Sequence, residues 1–171
     1  MDFKEQLLSR GYVVYNAKHL SDFLDIETVE FKLDPKTEHV DPETTPANNV
    51  EMMNSKLMLV HHEIAREFLG PHVKSYKLLH RNIWEGNILN ADKWHTDSFE
   101  APDLFFLLYF NDMPNNEGAL CVRNSKQEST IEIGKGTLVA IENNDPSFEH
   151  RVEPFKNKRV AACFRFAVEW E

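Results

Sequence analysis

From Tyr76 onward, short runs of alternating apolar and polar residues recur at the spacing of an all-β sandwich or barrel, whereas the first seventy residues sustain no such alternation. Lys4 to Arg10 reads as a short helix ended by Gly11, and Tyr12-Val13-Val14-Tyr15 as a strand. Val50 to Leu69 is the clearest helix, because Met53, Leu57, Val60, Ile64 and Phe68 recur at spacings of three and four. Asn48 or Asn49 is placed to cap its start and Gly70-Pro71 to stop it, and its apolar stripe should lie on a sheet. His61 and His62 fall in this helix; adjacent residues point about 100° apart, so they read as surface or packing histidines rather than as a metal pair. Asp34 to Asn49, with Pro35, Pro42 and Pro46 among acidic and Thr residues, is a long loop and, if it lies beside an active site, a candidate lid.

Turn signals divide the second part into strands at Tyr76 to Trp84, Trp94 to Phe99, Leu104 to Asn111, Ala119 to Arg123, Thr130 to Ile133, Thr137 to Glu142, His150 to Phe155 and Arg159 to Val168. Eight antiparallel strands in two facing sheets form a jelly roll, which often carries a ligand in the mouth between the sheets. The expected fold is mainly β with flanking N-terminal helices (α+β), a double-stranded β-helix of cupin-like type. It occupies one domain over 1–171, with a helical support region at 1–75 and the jelly-roll core at 76–171.

Charge narrows the partners. With 28 acidic against 19 basic residues and a formal charge of −9, the chain would repel phosphate backbones and anionic lipid, so no nucleic acid and no membrane partner is expected. No apolar run reaches about 18 residues and the first residues lack a secretory pattern, so the expected compartment is the cytoplasm. Cys121 and Cys163 stand alone in apolar stretches and read as buried free thiols. Oligomeric state is not written in the sequence.

The chemistry is carried by Trp94-His95-Thr96-Asp97-Ser98-Phe99. On a strand His95 and Asp97 project from one face with Cα atoms about 6.5 Å apart, close enough to share one ion. His150, opening a later strand after a Pro-containing turn, is the candidate third ligand. Two histidines and one carboxylate hold iron on one face and leave the opposite positions open for oxygen chemistry. A structural zinc would close its tetrahedron, usually with cysteines, and neither Cys lies near these ligands in sequence. Arg159, nine residues after His150, begins the last strand, where its guanidinium can pair bidentately with a carboxylate of a small ligand. On that strand Arg159, Ala161, Cys163 and Arg165 share one face, so Arg165 points the same way as Arg159 and is a candidate substrate-binding residue.

Together these residues resemble the iron(II)- and 2-oxoglutarate-dependent dioxygenase superfamily, whose pattern is HxD, a distal His and then a basic residue nine or ten positions on. The similarity covers about residues 76 to 168 and is greatest to the prolyl-hydroxylase-like branch, through Tyr109-Phe110-Asn111, Gly118-Ala119-Leu120, Gly136-Thr137-Leu138 and His150-Arg151-Val152-Glu153-Pro154. Two positions depart from that pattern: Asn157-Lys158 replaces the glycine common before the final Arg, and Ile141 replaces an aromatic residue before the distal His.

The resemblance implies that His95, Asp97 and His150 bind Fe(II), that Arg159 grips the distal carboxylate of 2-oxoglutarate, and that Tyr109 hydrogen-bonds that carboxylate. It implies hydroxylation of a substrate with O2 and 2-oxoglutarate, releasing succinate and CO2. The substrate is a peptidyl residue such as proline, or a free amino acid or other small metabolite. Two rival readings stay open: a zinc or manganese cupin enzyme, and a non-catalytic cupin-like metal- or ligand-binding sensor.

Overall fold

The computed structural model describes residues 2–28, 32, 34, 40–86, 93–96, 104–142 and 145–171, with 76–86 as backbone. Its strands are β1 (Tyr12–Asn16), β2 (Val73–Gly86), β3 (Leu104–Tyr109), β4 (Leu120–Arg123), β5 (Glu128–Ile131), β6 (Thr137–Glu142), β7 (Glu149–Val152) and β8 (Arg159–Trp170). They form a five-stranded sheet in the order β1-β6-β3-β8-β2 and a three-stranded sheet in the order β5-β4-β7. Every pairing between these strands is antiparallel. Helices α1 (Phe3–Arg10), α2 (Lys18–Ser21) and α3 (Ala47–Ile64) precede β2. The expectation of a mainly β chain with flanking N-terminal helices is borne out.

The five-stranded sheet is covered on both faces, which is why β3 reads Leu-Phe-Phe-Leu-Leu-Tyr without a polar break and is buried along its whole length. Leu104, Phe106 and Leu108 join Leu138, Ala140, Val160, Ala162, Phe164 and Phe166 in one core, under Leu7 of α1 and Leu57, Val60 and Ile64 of α3. Phe105, Leu107 and Tyr109 point the other way, into a second core with Val139, Ile141 and Ala161, closed by Leu120, Val122 and Ile131 of the small sheet. The molecule is thus built as helices, a large sheet and a small sheet, and the space between the two sheets holds the residues of interest.

Three local expectations are corrected. Helix α3 begins at Ala47 behind Pro46, without a cap from Asn48 or Asn49; the fixed φ of −51° at Pro46 starts the helix and its carbonyl accepts from Asn49 N at 2.9 Å. The helix also does not run uniformly to Leu69, because Ala65–Leu69 is a π turn ended by the Gly70 N–H donating to the Ala65 carbonyl at 2.8 Å. Cys163 is only half-buried, because the inner face of β8 looks into the space between the sheets, whereas Cys121 is buried; both are free thiols.

His61 packs in the core with its ring 5.5 Å from Phe166. Within the 34–49 loop the described segment from Val40 is knotted by Asp41, whose carboxylate accepts from Glu43 N and Thr44 Oγ1 at 2.8 Å each. Residues 35–39 of the candidate lid lie outside the described residues. Of the expected strand from Trp94 to Phe99, residues 97–99 likewise lie outside them, and His95 is described as a single bridge to β7. Among the described residues no helix is long and apolar enough to cross a membrane.

Candidate active site

His95 and His150 form an antiparallel pair that exchanges both backbone hydrogen bonds, His95 N to the His150 carbonyl at 3.1 Å and His150 N to the His95 carbonyl at 2.9 Å. Residues directly opposite in such a pair project from the same face. Their imidazole rings accordingly stand 4.3 Å apart, His150 buried and His95 exposed. The Nδ1 of His95 lies 3.0 Å from the Lys93 carbonyl. An Nδ1–H donated to that oxygen fixes the tautomer that leaves the Nε2 lone pair for a metal. Asp97, the third predicted ligand, lies outside the described residues, and among the described residues no three His, Cys, Asp or Glu side chains surround one point. The two rings fit a metal centre because they stand side by side on one face of the small sheet, with an Nδ1 hydrogen bond that sets the His95 tautomer.

Deeper between the sheets, Arg159 is 1% exposed. Its Nη2 donates to Tyr109 Oη at 3.1 Å and its Nε to the Gly118 carbonyl at 3.1 Å. The guanidinium carbon stands 4.9 Å over the Tyr109 ring and 5.7 Å from that of Phe155. Burial pushes the Arg159 pKa down and Tyr109 pulls it back up; even so, a guanidinium stays charged at neutral pH. Burial raises the Tyr109 phenol, which therefore keeps its own proton to donate while accepting from Arg159. A cation and a neutral phenol held together in a dry apolar wall have the chemistry to bind a carboxylate, since the low local dielectric strengthens charge-assisted hydrogen bonds.

Sequence reading named Tyr109 and Arg159 but missed the residues that aim them. Asn111 accepts from Val160 N at 2.9 Å and donates to the Lys158 carbonyl at 2.7 Å, so one side chain pins the backbone on both sides of Arg159. Glu117 accepts from Lys156 N at 3.0 Å and Asn157 Nδ2 at 3.1 Å, and the Lys156 bond leads the causes that hold its carboxyl below the usual range. Asn157 thus has a bonding role in the turn that leads into β8. Gly118 sits at φ +66°, and a Cβ there would come within 2.9 Å of Arg159 Cδ. The Tyr-x-Asn and Gly-x-Leu motifs were the visible signal, and both prove to be the cradle of one arginine.

Arg165 is 7% exposed and sits opposite Phe105 in the β3–β8 register. The Phe105 ring is 5.9 Å from that of His150. Arg165 therefore lies on the inner face beside Phe105, whose ring neighbours His150, six residues along β8 from Arg159.

No family model and no curated protein matches the sequence. Solved structures do. A 2OG-Fe(II) oxygenase family oxidoreductase from Burkholderia pseudomallei is similar with a TM-score of 0.70 at 13% identity, over 95% of this chain and 87% of that one. A prolyl hydroxylase from Trichoplax adhaerens, in complex with a hypoxia inducible factor peptide fragment, is similar with a TM-score of 0.59 at 13% identity, over 95% and 86%. HygX from Streptomyces hygroscopicus, with nickel, 2-oxoglutarate and hygromycin B bound, has a TM-score of 0.58 at 11% identity, over 98% and 87%. The resemblance read from the HxD, distal His and Arg pattern is borne out at the level of structure: the chain has the fold shared by 2-oxoglutarate- and Fe(II)-dependent oxygenases, prolyl hydroxylases among them.

Proposed function

We propose that this chain is an Fe(II)- and 2-oxoglutarate-dependent dioxygenase that hydroxylates its substrate, its two facing sheets being a double-stranded β-helix. His95, Asp97 and His150 would hold the metal, and Arg159 with Tyr109 would take the distal carboxylate of 2-oxoglutarate. The observation that carries this reading is the buried Arg159–Tyr109 pair, 3.1 Å apart on the inner face of the sheet that also meets the paired histidines. A metal-binding protein without turnover has no use for a desolvated guanidinium aimed into the same space.

Iron with 2-oxoglutarate and O2 supplies the oxidising chemistry, yielding succinate, CO2 and a hydroxylated substrate. The residues of this chain do the rest. Arg159 and Tyr109 fix one end of the cosubstrate; Leu107, Leu120, Val122 and Ala161 line the second core and exclude water; His95 and His150 set the reacting end at the mouth. Arg165, on the same inner face beside Phe105, would meet an anionic group of the substrate.

Among structural relatives one holds a peptide and another hygromycin B, so peptidyl proline is the first substrate to assay and free amino acids the second. Metal-loaded protein incubated with 2-oxoglutarate, O2 and such a panel should release succinate faster with the true substrate. Metal bound without 2-oxoglutarate binding or succinate release under any condition would instead establish the non-catalytic sensor.

A further inference from the structure

In the extended segment that bridges β7, the residue before His95 faces away from it, and the register of the His95–His150 bridge carries Trp94 opposite Arg151. Trp94 thus lies on the outer face of the small sheet, where a ring would ordinarily stand in solvent. Here it is covered: the Arg123 guanidinium carbon stands 4.3 Å over its ring and that of Arg151 5.0 Å. Neither arginine is loose. Arg123 is bound to Glu149, its cross-strand partner, by Nη2 at 2.6 Å and Nε at 2.7 Å. Arg151 is bound to Glu153 at 2.6 Å, and Glu153 also accepts from Cys121 Sγ at 3.1 Å. Two carboxylates therefore hold two guanidiniums over one indole, and a cation held over an indole face is the strongest of the side-chain cation–π pairings.

We infer that Trp94, clamped by Arg123 and Arg151, is a positioning residue that fixes the segment of His95 onto β7 and so sets the geometry of the metal site. The inference rests on the reading of His95 as a metal ligand. The indole and the His95 imidazole belong to adjacent residues on opposite faces, so tilting or freeing the first rotates the second away from His150. Among the described residues that bridge is one rung, and its two backbone bonds do not by themselves fix how the side chains project.

Cobalt(II) titration, followed by the ligand-field absorption of the bound ion, tests the clamp without any assay of turnover. Trp94→Leu should weaken Co(II) binding by about tenfold or more, the scale on which supports of metal ligands act, with an unchanged far-ultraviolet circular dichroism spectrum. Trp94→Phe should recover most of the loss, and the double variant Arg123→Gln with Arg151→Gln should fall between. A folded Trp94→Leu that binds Co(II) as the native chain does, with an unchanged absorption spectrum, overturns the clamp. If Trp94→Leu does not fold, the double glutamine variant decides in the same way, because its changes are at partly exposed positions. Native chain that binds no Co(II), or a His95→Ala variant that binds it undiminished, overturns the metal-site reading itself and the clamp with it.

Discussion

The Asn111 amide reaches around Arg159, holding the carbonyl of Lys158 at 2.7 Å and the N–H of Val160 at 2.9 Å, one on each side of the arginine. This places the direction of a buried guanidinium under the control of a turn residue forty-eight positions upstream. Asn111→Ala leaves both backbone groups without that partner and should cost about 1–3 kcal/mol in urea unfolding. It should also raise the KM for 2-oxoglutarate while metal affinity stays native.

The glycine at 118 is required twice, by its φ of +66° and by the 2.9 Å approach a Cβ would make to Arg159 Cδ. Gly118→Ala should therefore displace Arg159 and weaken 2-oxoglutarate binding about as severely as truncating the arginine, whereas Ala119→Gly should leave it near native. Isothermal titration of 2-oxoglutarate into metal-loaded protein reads both.

Tyr109→Phe removes one donor to the cosubstrate and one acceptor for Arg159, but keeps the ring under the guanidinium. The expected loss in 2-oxoglutarate affinity is about 1.5–3 kcal/mol, the scale of one hydrogen bond to a charged group. Arg159→Leu should lose more, because the charge goes with it. Arg159→Lys should recover little, since an ammonium has no fork to reach both Tyr109 and the Gly118 carbonyl.

Alkaline stability has its own signature. Burial against Phe3 and Phe68 lifts the Tyr15 phenol from 10.0 to about 12 in the folded chain. A folded pKa above the unfolded one gives stability that is whole below pH 10 and is lost as pH rises toward about 12. Tyr15→Phe should flatten the fall in unfolding free energy over that window, and the ultraviolet titration should lose one late-ionising phenol.

Much of this architecture was legible because strands have a period of two. Along β8 that period alone separates Val160, Ala162, Phe164 and Phe166, which meet the helices, from Ala161 and Cys163, which face the small sheet, and it puts Arg159 and Arg165 on the inner side. What the chain does not announce is pairing at a distance. Tyr12–Asn16 is a plain strand in sequence, and nothing local says that it edges the large sheet beside β6. Asn111, Glu117 and Asn157 look like ordinary turn residues, because their partners lie tens of positions away and a polar side chain carries no mark of its acceptor. The start of α3 was misplaced for a local reason: Asn48 and Asn49 are good caps, but Pro46 had already fixed the backbone one turn earlier.

In the proposed site one space would hold a metal at His95, Asp97 and His150 and a carboxylate at Arg159, so that a single 2-oxoglutarate would bridge them. Calorimetric titration of 2-oxoglutarate into the chain, with and without a divalent metal, in native protein and in His150→Ala and Arg159→Leu, tests it most directly. Tight binding is expected only in metal-loaded native protein, and is lost in both variants. Binding that is absent from the metal-loaded native chain, or indifferent to the metal and to Arg159 alike, would contradict it.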